Sequence, residues 1–364
     1  MVTISSQLPT AELQALDAAH HMHPFSNQLK LAERGARVIT RGEGVWLTDS
    51  EGNRILDGMA GLWCVNVGYG RDSMAEVAAK QMRELPYYNT FFMTTHVPVI
   101  ALSQRIAELA PEGMNTVFYA GSGSEANDTN IRMVRRYWDI KGQPEKRIII
   151  ARLNGYHGST MGGGSLGGMS GIHAHGGKIA GIVHIGEPNW WEQGGDMTPE
   201  AFGLMRAQEL EAMILQLGVE NVGAFIGEPV QGAGGVIIPP STYWPEIQRI
   251  VDKYGILLIA DEVITAFGRV GHMLAIDGYG IEADLITLAK GLSSGYAPLS
   301  AALVGPKVWQ ALQDGARTHG FFAHGYTYSA HPLGAAAALA NIQIIEEEGL
   351  CANATEVGAY LLQQ

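Results

Sequence analysis

The sequence predicts an α/β protein in which helices are layered on a mostly parallel β-sheet. From about residue 100 onward, segments with helical spacing alternate with short apolar segments that are typical of buried strands. Such alternation usually produces strand–helix–strand units whose strands run parallel. In addition, many of the 47 glycines lie in loops such as GSTMGGGSLGGMSG and VQGAGG. Glycine there lets the backbone approach another backbone or a ligand closely.

The composition is that of an ordinary globular protein, with 46% hydrophobic and 16% charged residues among 364. This length allows a large core and more than one domain or subdomain. The formal net charge of -12 argues against a nucleic-acid partner. We expect a cytoplasmic protein, because the chain has only two cysteines, no apolar signal-peptide run and no stretch long enough to cross a bilayer.

The secondary structure can be predicted segment by segment from hydrophobic spacing. GEGVWLTDSEGNRILDG predicts a β-hairpin that turns at residues 49–53, and a helix follows over residues 71–84. Beyond residue 95 we predict helices over 99–110, 124–139, 199–217, 242–254 and 333–348, and strands over 116–119, 147–151, 222–227, 256–260 and 284–288.

Ligands of open parallel sheets bind beyond the carboxyl ends of the strands, so the residues at those ends are candidates for function. The first predicted strand ends in Gly121, Ser122, Gly123 and Ser124, directly before a helix. Free N–H groups, hydroxyls and the positive end of the helix dipole suit a phosphate group there. A serine N-cap preceded by a glycine turn would explain the same residues.

The next two strand ends supply an aromatic ring and an acid. Tyr156 and His157 follow Gly155, so a flat ring is presented from a loop that can approach a ligand closely. A loop tyrosine packed on its neighbours is the alternative. Glu228 comes directly after an apolar strand and before a proline. The alternative for this residue is a solvated acid.

The last two strand ends carry a carboxylate and an amine. Asp261 and Glu262 follow the apolar run GILLIA, where a carboxylate is costly unless a cation or strong donors face it. Emergence into water remains plausible for Glu262. Lys290 follows LITLA, and the alternative is a lysine that reaches out to solvent. Together, these strand ends suit pyridoxal 5′-phosphate: the lysine forms a Schiff base and a buried aspartate pairs with the protonated pyridine nitrogen.

Two motifs suggest other enzymes. Residues 121–126 fit the dinucleotide fingerprint G-x-G-x-x-[GA], but the next strand ends at Arg152 and not at the acid expected for ribose. Residues 163–167 fit the G-x-S-x-G nucleophile elbow of hydrolases, but no strand precedes them. Neither motif therefore has the structural context that its chemistry requires.

The segment AHHMH places His20, His21 and His23 close together near the N-terminus. Three imidazoles could bind a metal ion. Because we find no cysteine or carboxylate at ligand spacing, we expect a polar N-terminal segment without a metal.

The ordered motifs resemble a known family. GSGSEAND, NGYHGST, EPVQGAGG, ADEVITAFGR and LAKGLSSG resemble the class III aminotransferases, which have the fold of type I pyridoxal-phosphate enzymes. GLWCVNVGYGR, ELPYYNTFF, MVRRYWD and VIIPPSTYWPEI are similar to pyruvate-dependent ω-transaminases, including the putrescine–pyruvate and β-alanine–pyruvate types. The resemblance covers roughly residues 20–360.

The resemblance implies a role for each matching residue. Lys290 would carry the cofactor, Asp261 would pair with its ring nitrogen, and Tyr156 would stack above the ring. The other implied contacts are the phosphate-binding Ser122, Gly123 and Ser124, the ring-packing Val263, and the cofactor-side His157 and Glu228. Thr327 would reach the phosphate of the neighbouring subunit in a homodimer or dimer of dimers, and Trp63 and Tyr88 would form walls of the amine pocket.

The implied reaction moves an amino group from an ω-amino acid, a diamine or another primary amine to pyruvate, giving alanine and an aldehyde or ketone. The implied domains are an N-terminal segment (1–70), a large cofactor-binding domain (71–332) and the start of a C-terminal domain (333–364). In the family, an arginine beyond the position of Gln364 receives the carboxylate of pyruvate. We therefore expect an uncovered apolar face on residues 333–364, and a catalytically impaired cofactor-binding paralogue or fragment is the alternative function.

Overall fold

The computed structural model describes residues 8–364. Within them the helices are α1 (Thr10–His20), α2 (Gln28–Arg34), α3 (Ala60–Trp63), α4 (Asp72–Glu84), α5 (Val97–Leu109), α6 (Gly123–Ile140), α7 (Met161–Leu166), α8 (Ser170–His173), α9 (Trp190–Gln193), α10 (Pro199–Leu217), α11 (Tyr243–Tyr254), α12 (Ala275–Tyr279), the 3₁₀ turn η1 (Lys290–Leu292), α13 (Pro306–His319), α14 (Pro332–Glu347) and α15 (Leu350–Gln363). The strands are β1 (Ile39–Glu43), β2 (Trp46–Asp49), β3 (Arg54–Leu56), β4 (Thr116–Ala120), β5 (Ile148–Arg152), β6 (Ile182–Ile185), β7 (Val222–Gly227), β8 (Leu257–Asp261), β9 (Leu285–Leu288) and β10 (Ser300–Val304).

The central sheet has seven strands in the order β4-β10-β9-β8-β7-β5-β6. Four neighbouring pairs are parallel, and only the two pairs that involve β10 are antiparallel. The prediction of a mostly parallel α/β fold is therefore confirmed. The predicted hairpin is also confirmed: β2 pairs with β3, and β1 adds a third antiparallel strand on the other side of β2.

Helices cover both faces of this sheet. Because side chains alternate between the faces along each strand, each strand contributes to a core on either side. Phe225, Leu258 and Ile286 belong to a core with residues of α5, α10, α11 and α14. Ile226 and Ile259 belong to a second core, which contains residues of α6 and α13. A strand buried on both faces reads as a continuous apolar run, which explains why β7, β8 and β9 could be recognised in the sequence.

Capping residues fix where the long helices begin. Thr198 Oγ1 accepts a hydrogen bond from the Ala201 N–H at 3.3 Å, and Pro199 occupies the first position of α10. At the start of α6, Ser122 Oγ accepts from the Glu125 N–H at 3.3 Å. Such caps satisfy N–H groups that have no acceptor inside the helix. The predicted bounds of the six predicted helices and of the five predicted central strands agree with the structure within two residues.

Among the elements that the sequence did not predict are α1, β6, β10 and α13. Strand β6 has only four residues, and β10 is built from SAALV, whose small alanines have little preference for strands. All five β10 residues are nevertheless buried between β4 and β9. Position in the sheet overrides the weak local preference of this segment.

The last two helices differ in burial. Ala335, Ala338 and Ile342 of α14 are fully buried in the main core, whereas α15 leaves its apolar residues Val357, Tyr360, Leu361 and Leu362 exposed. The expected uncovered apolar face is therefore present on α15 and absent from α14. In residues 8–364, no helix is both long enough and apolar enough to span a bilayer.

Candidate active site

A cavity of about 310 Å³ lies at the carboxyl ends of β4, β8 and β9. Eight of the predicted site residues line it: Ser122, Gly123, Ser124, Tyr156, His157, Asp261, Val263 and Lys290. The topology brings together predicted residues that are up to 168 positions apart in the chain, from Ser122 to Lys290. The structure thus brings these eight residues together at one edge of the sheet.

Asp261 is the last residue of β8, and only 2% of its surface is exposed. Its Oδ2 accepts hydrogen bonds from His157 Nδ1 at 2.7 Å and from Asn127 Nδ2 at 2.8 Å. Its Oδ1 accepts from the Val263 N–H at 3.0 Å. Burial opposes ionisation of this carboxyl, but the donors from His157, Asn127 and Val263 outweigh it and lower its pKa. Asp261 is therefore an ionised carboxylate held in one orientation.

A chain of buried amides and hydroxyls supports that carboxylate. Thr287 Oγ1 donates to Asn127 Oδ1 at 2.7 Å, and Asn130 Nδ2 donates to Thr287 Oγ1 at 2.8 Å. Asn127 Nδ2 also donates to the His157 carbonyl at 2.9 Å. With its oxygen occupied by Thr287, Asn127 can present only its NH₂ group to Asp261.

Sequence reasoning missed Asn127 and Thr287. The available signal was the presence of Asn127 and Asn130, one helical turn apart, on the apolar face of α6. Both asparagines are fully buried. Polar residues at core positions normally have specific partners, and here the partners come from β8 and β9.

Lys290 begins the η1 turn, one residue beyond the end of β9. Its φ angle is +43°, in the left-handed region that residues other than glycine seldom occupy. Ser294, four residues later, has a φ of +49°. Such backbone strain is frequent where function fixes a side chain, and here it accompanies the one ammonium group among the residues that line the cavity.

The turn before α6 forms a cradle suited to an anion. The first N–H groups of this 18-residue helix have no acceptor within the helix, and the helix dipole adds positive potential at this end. A Cβ at Gly123 would lie 3.0 Å from Val263, and a Cβ at Gly158 would lie 2.6 Å from Ser124 Oγ. Glycine is thus required for the two loops to approach each other here.

Glu228 lies just outside this cavity and positions the loop that carries Tyr156. Its Oε1 accepts from the Tyr156 N–H at 3.1 Å, and its Oε2 accepts from the Gly232 N–H at 2.9 Å. Only 3% of the residue is exposed, and burial raises the pKa of its carboxyl. Arg152 donates to the Glu228 carbonyl from the end of β5. Glu228 is therefore not the solvated acid of the alternative reading.

Like Glu228, three further predicted residues do not line the cavity. Thr327 lies in a loop where its carbonyl accepts a hydrogen bond from Tyr87 at 2.6 Å. Tyr88 is 51% exposed, and Trp63 precedes Cys64, which does line the cavity. Burial raises the pKa of the Cys64 thiol, and the nearby Lys290 opposes this shift.

The structure also excludes the two competing motifs. Ser165 lies inside α7, and its hydroxyl donates to the Met161 carbonyl at 2.5 Å, so it does not cap a strand as a hydrolase nucleophile would. Strand β5 ends at Arg152, with no acid in the position that a dinucleotide ribose requires.

Two named aminotransferases are similar in sequence to this chain. A putrescine–pyruvate aminotransferase of Pseudomonas aeruginosa is 57% identical over 340 residues, which are 93% of this chain and 74% of that protein. A diaminobutyrate–2-oxoglutarate transaminase of Halomonas elongata is 46% identical over 351 residues, or 95% of this chain and 74% of that protein.

Solved structures share the fold. An (S)-enantioselective ω-transaminase from Thermomicrobium roseum superimposes with a TM-score of 0.94 at 46% identity, over 97% of this chain and 78% of that one. An ω-transaminase from Pseudomonas jessenii in complex with PMP gives a TM-score of 0.93 at 41% identity, over 95% and 77%. The profile of the family described as "Aminotransferase class-III" matches residues 31–364. The resemblance seen in the motifs is confirmed, and the chain belongs to the class III aminotransferases.

Proposed function

We propose that this aminotransferase moves an amino group from a diamine, an ω-amino acid or another primary amine to pyruvate, giving alanine and an aldehyde or ketone. The identity of 57% to a putrescine–pyruvate aminotransferase supports this choice of substrates. The observation that carries the proposal is one cavity that joins an amine, a buried ionised carboxylate and a helix N-terminus.

Class III aminotransferases depend on pyridoxal 5′-phosphate. The residues of this cavity fit that group in three respects. Lys290 offers an amine, the glycines of the cradle let the loops at the N-terminus of α6 approach each other closely, and Asp261 offers a negative charge that a protonated ring nitrogen would neutralise. When bound, the cofactor supplies an electron sink for the charge that develops on the donor carbon.

The remaining chemistry belongs to the chain's own residues. Lys290 would hold the cofactor through Nζ and, once displaced by the amine donor, would carry the proton at Nζ between the donor and the cofactor. Asp261 would keep the ring nitrogen protonated, with His157 and Asn127 holding its carboxylate in place. Ser122, Gly123 and Ser124 would bind the phosphate through the N-terminus of α6.

Tyr156 and Val263 would contact the two faces of the ring. Both line the cavity, and Glu228 fixes the backbone of Tyr156. Trp63 and Tyr88 remain our candidates for the walls of the amine pocket. Tyr88 is 51% exposed in the single chain, so a ligand can reach it.

We also propose a homodimer or dimer of dimers in which Thr327 reaches the neighbouring site. The apolar side chains of Phe92, Met93 and Phe321 support an interface near this loop, since they are 90%, 105% and 81% exposed in the single chain. The division at residues 70 and 332 remains a proposal, although α14 shares its core with the large domain. Two unpaired cysteines support a reducing compartment such as the cytoplasm.

The proposal can be tested with the full chain loaded with pyridoxal phosphate. Alanine formation from pyruvate would be measured with putrescine, β-alanine and an arylalkylamine as separate donors, and the visible band of the bound cofactor would be recorded in parallel. We expect alanine with at least one donor. In Lys290→Ala, we expect the absorbance band of the lysine-bound cofactor to disappear and turnover to be lost. A chain that binds the cofactor yet forms no alanine with any donor would instead be the impaired paralogue.

A further inference from the structure

Two imidazoles and one carboxylate converge where the first helix ends. Asp17 Oδ1 lies 3.1 Å from His21 Nδ1, and Asp17 Oδ2 lies 2.7 Å from His23 Nε2. The ring centroids of the two histidines are 4.2 Å apart. We refer to Asp17, His21 and His23 as the N-terminal cluster.

The local fold explains why these groups meet. Asp17 lies in α1 and His21 follows one turn later, so both side chains point from the same side of the helix. The His21 N–H still donates to the Asp17 carbonyl at 2.9 Å, which completes the last turn. Beyond it the chain bends back, and Gln28 Nε2 donates to the His23 carbonyl at 2.9 Å. This bond holds the bend that brings His23 to the aspartate.

The arrangement removes the reason for our expectation that these histidines bind no metal. We expected no metal because the sequence offered no evident carboxylate at ligand spacing, but Asp17 provides one at four residues before His21. A carboxylate in a helix and an imidazole one turn later are adjacent on its surface.

The distances are compatible with a common metal ion. One potential ligand atom from each residue lies within 4.8 Å of the other two. Nitrogen and oxygen ligands of zinc lie about 2.0–2.2 Å from the ion, which places neighbouring ligands of a tetrahedral site roughly 3.3 Å apart. Small side-chain rotations would convert the present hydrogen bonds into coordination bonds.

We propose that Asp17, His21 and His23 bind one divalent transition-metal ion of the zinc type. Two imidazoles and a carboxylate are donors that such ions prefer to the hard oxygen sets of Mg²⁺ or Ca²⁺. The side chains of Asp17 and His23 are only 21% and 22% exposed, whereas that of His21 is 60% exposed. The partly buried side chains of Asp17 and His23 supply two ligands in fixed positions. Solvent on the His21 side can supply water as a fourth ligand.

Occupation of this site would tie α1 to the segment 22–28. That segment forms one wall of a groove whose opposite wall includes Ser159, Thr160 and Met161, directly after the Tyr156 loop. An ion that binds the folded chain and not the unfolded one raises the melting temperature. The proposed site therefore stabilises the folded N-terminal segment and takes no part in the transfer of the amino group.

The test uses the full chain loaded with its cofactor and titrated with Zn²⁺ alone in a calorimeter. Co²⁺ serves as a second probe, since its visible absorption reports the number and type of ligands. We expect saturation near one equivalent and a higher melting temperature with the ion. His21→Gln should weaken binding by at least about tenfold, and because this side chain is mostly exposed, the variant should melt like the parent chain without metal.

His20→Gln is the matched control, because His20 belongs to the same helix but lies outside the cluster. This variant should bind Zn²⁺ as tightly as the parent chain. Asp17→Asn should weaken binding at least as much as His21→Gln. Absence of saturable binding, equal loss in the His20 control, or unchanged binding in His21→Gln, as expected if the ion used Cys64 or Cys351, would each overturn the proposal. None of these results depends on whether the chain forms alanine.

Discussion

Two adjacent carboxylates at the end of β8 have opposite properties. Asp261 and Glu262 are both buried, with 2% and 0% of their surfaces exposed. Asp261 faces the cavity, where a histidine, an amide and a backbone N–H lower its pKa despite burial. Glu262 faces away from the cavity and accepts hydrogen bonds from the Thr265 hydroxyl at 2.5 Å and the Ile276 N–H at 2.8 Å, with a further backbone contact from Ala275. Burial consequently dominates there and raises the pKa of Glu262 to about 7.

Depth of burial alone does not decide whether an acid is charged. The same strand end supplies an ionised carboxylate, Asp261, on one side and a carboxyl group whose pKa is close to neutral pH, Glu262, on the other. The difference lies in the donors, above all in His157, which has no counterpart among the groups that contact Glu262.

The largest expected effect comes from removing the charge on the cavity side. Asp261→Asn should lower the rate of alanine formation by at least about a hundredfold, because a neutral amide cannot stabilise a protonated ring nitrogen. Steady-state assays with pyruvate would measure this. The matched variant Glu262→Gln should retain activity, and comparable losses in the two variants would contradict the distinction drawn between them.

The pH dependence of stability should reveal the other carboxylate. Folding raises the pKa of Glu262 from 4.5 to about 7. The contribution of Glu262 to the free energy of unfolding is therefore fully present below pH 4.5 and is lost as the pH rises through 7. The loss is of order 3 kcal/mol. Urea unfolding of the parent chain and of Glu262→Gln at pH 5 and pH 8 would measure it.

In that experiment, the other titrating groups are common to both proteins and cancel in the difference between them. The free energy of unfolding of the parent chain should fall relative to that of the variant as the pH rises. An unchanged difference would show that Glu262 has an ordinary pKa.

The support behind Asp261 can be weakened without removing its charge. Asn127→Leu removes one donor to Asp261 and leaves the Thr287 hydroxyl without its acceptor, which should cost about 1–3 kcal/mol of stability. Since the donor lowers the pKa of Asp261, its loss should move the acidic limb of the pH–activity profile to higher pH. Asn130→Leu is the control, because Asn130 contacts Thr287 and not Asp261. An identical acidic limb in both variants would argue against a direct role of Asn127.

The smallest effect should come from a third acid, which water reaches. Glu348 accepts two hydrogen bonds from Arg71, at 2.6 and 2.8 Å, and its side chain is 42% exposed. Glu348→Gln should cost less than about 1 kcal/mol, because solvent screens such pairs. Urea unfolding in low and high salt would test this, and a loss that salt does not reduce would contradict it.

The sequence predicted the positions of Asp261 and Lys290 because Asp261 directly follows the apolar run GILLIA and Lys290 follows LITLA, in which Thr287 is the one polar residue. It could not predict the partners of Asp261. Asn127 meets Thr287 only because α6 lies across β8 and β9 in one particular register, and no local pattern encodes that register. Emergence into water, which we considered plausible for Glu262, was wrong, since the chain after β8 folds back and covers this residue. Tertiary packing therefore set the details that local spacing left open.

The reversed direction of β10 has a consequence for engineering this enzyme. Because β10 runs against β9, the chain that leaves β9 at Lys290 re-enters the sheet at Ser300 on the same edge. Residues on this short excursion, among them Ser293, Pro298 and Leu299, line the same cavity as the lysine. One contiguous peptide thus holds both the reactive amine and part of the chamber around it. Mutagenesis aimed at donor scope in this stretch will also perturb reactivity, and the two traits will be difficult to evolve separately there.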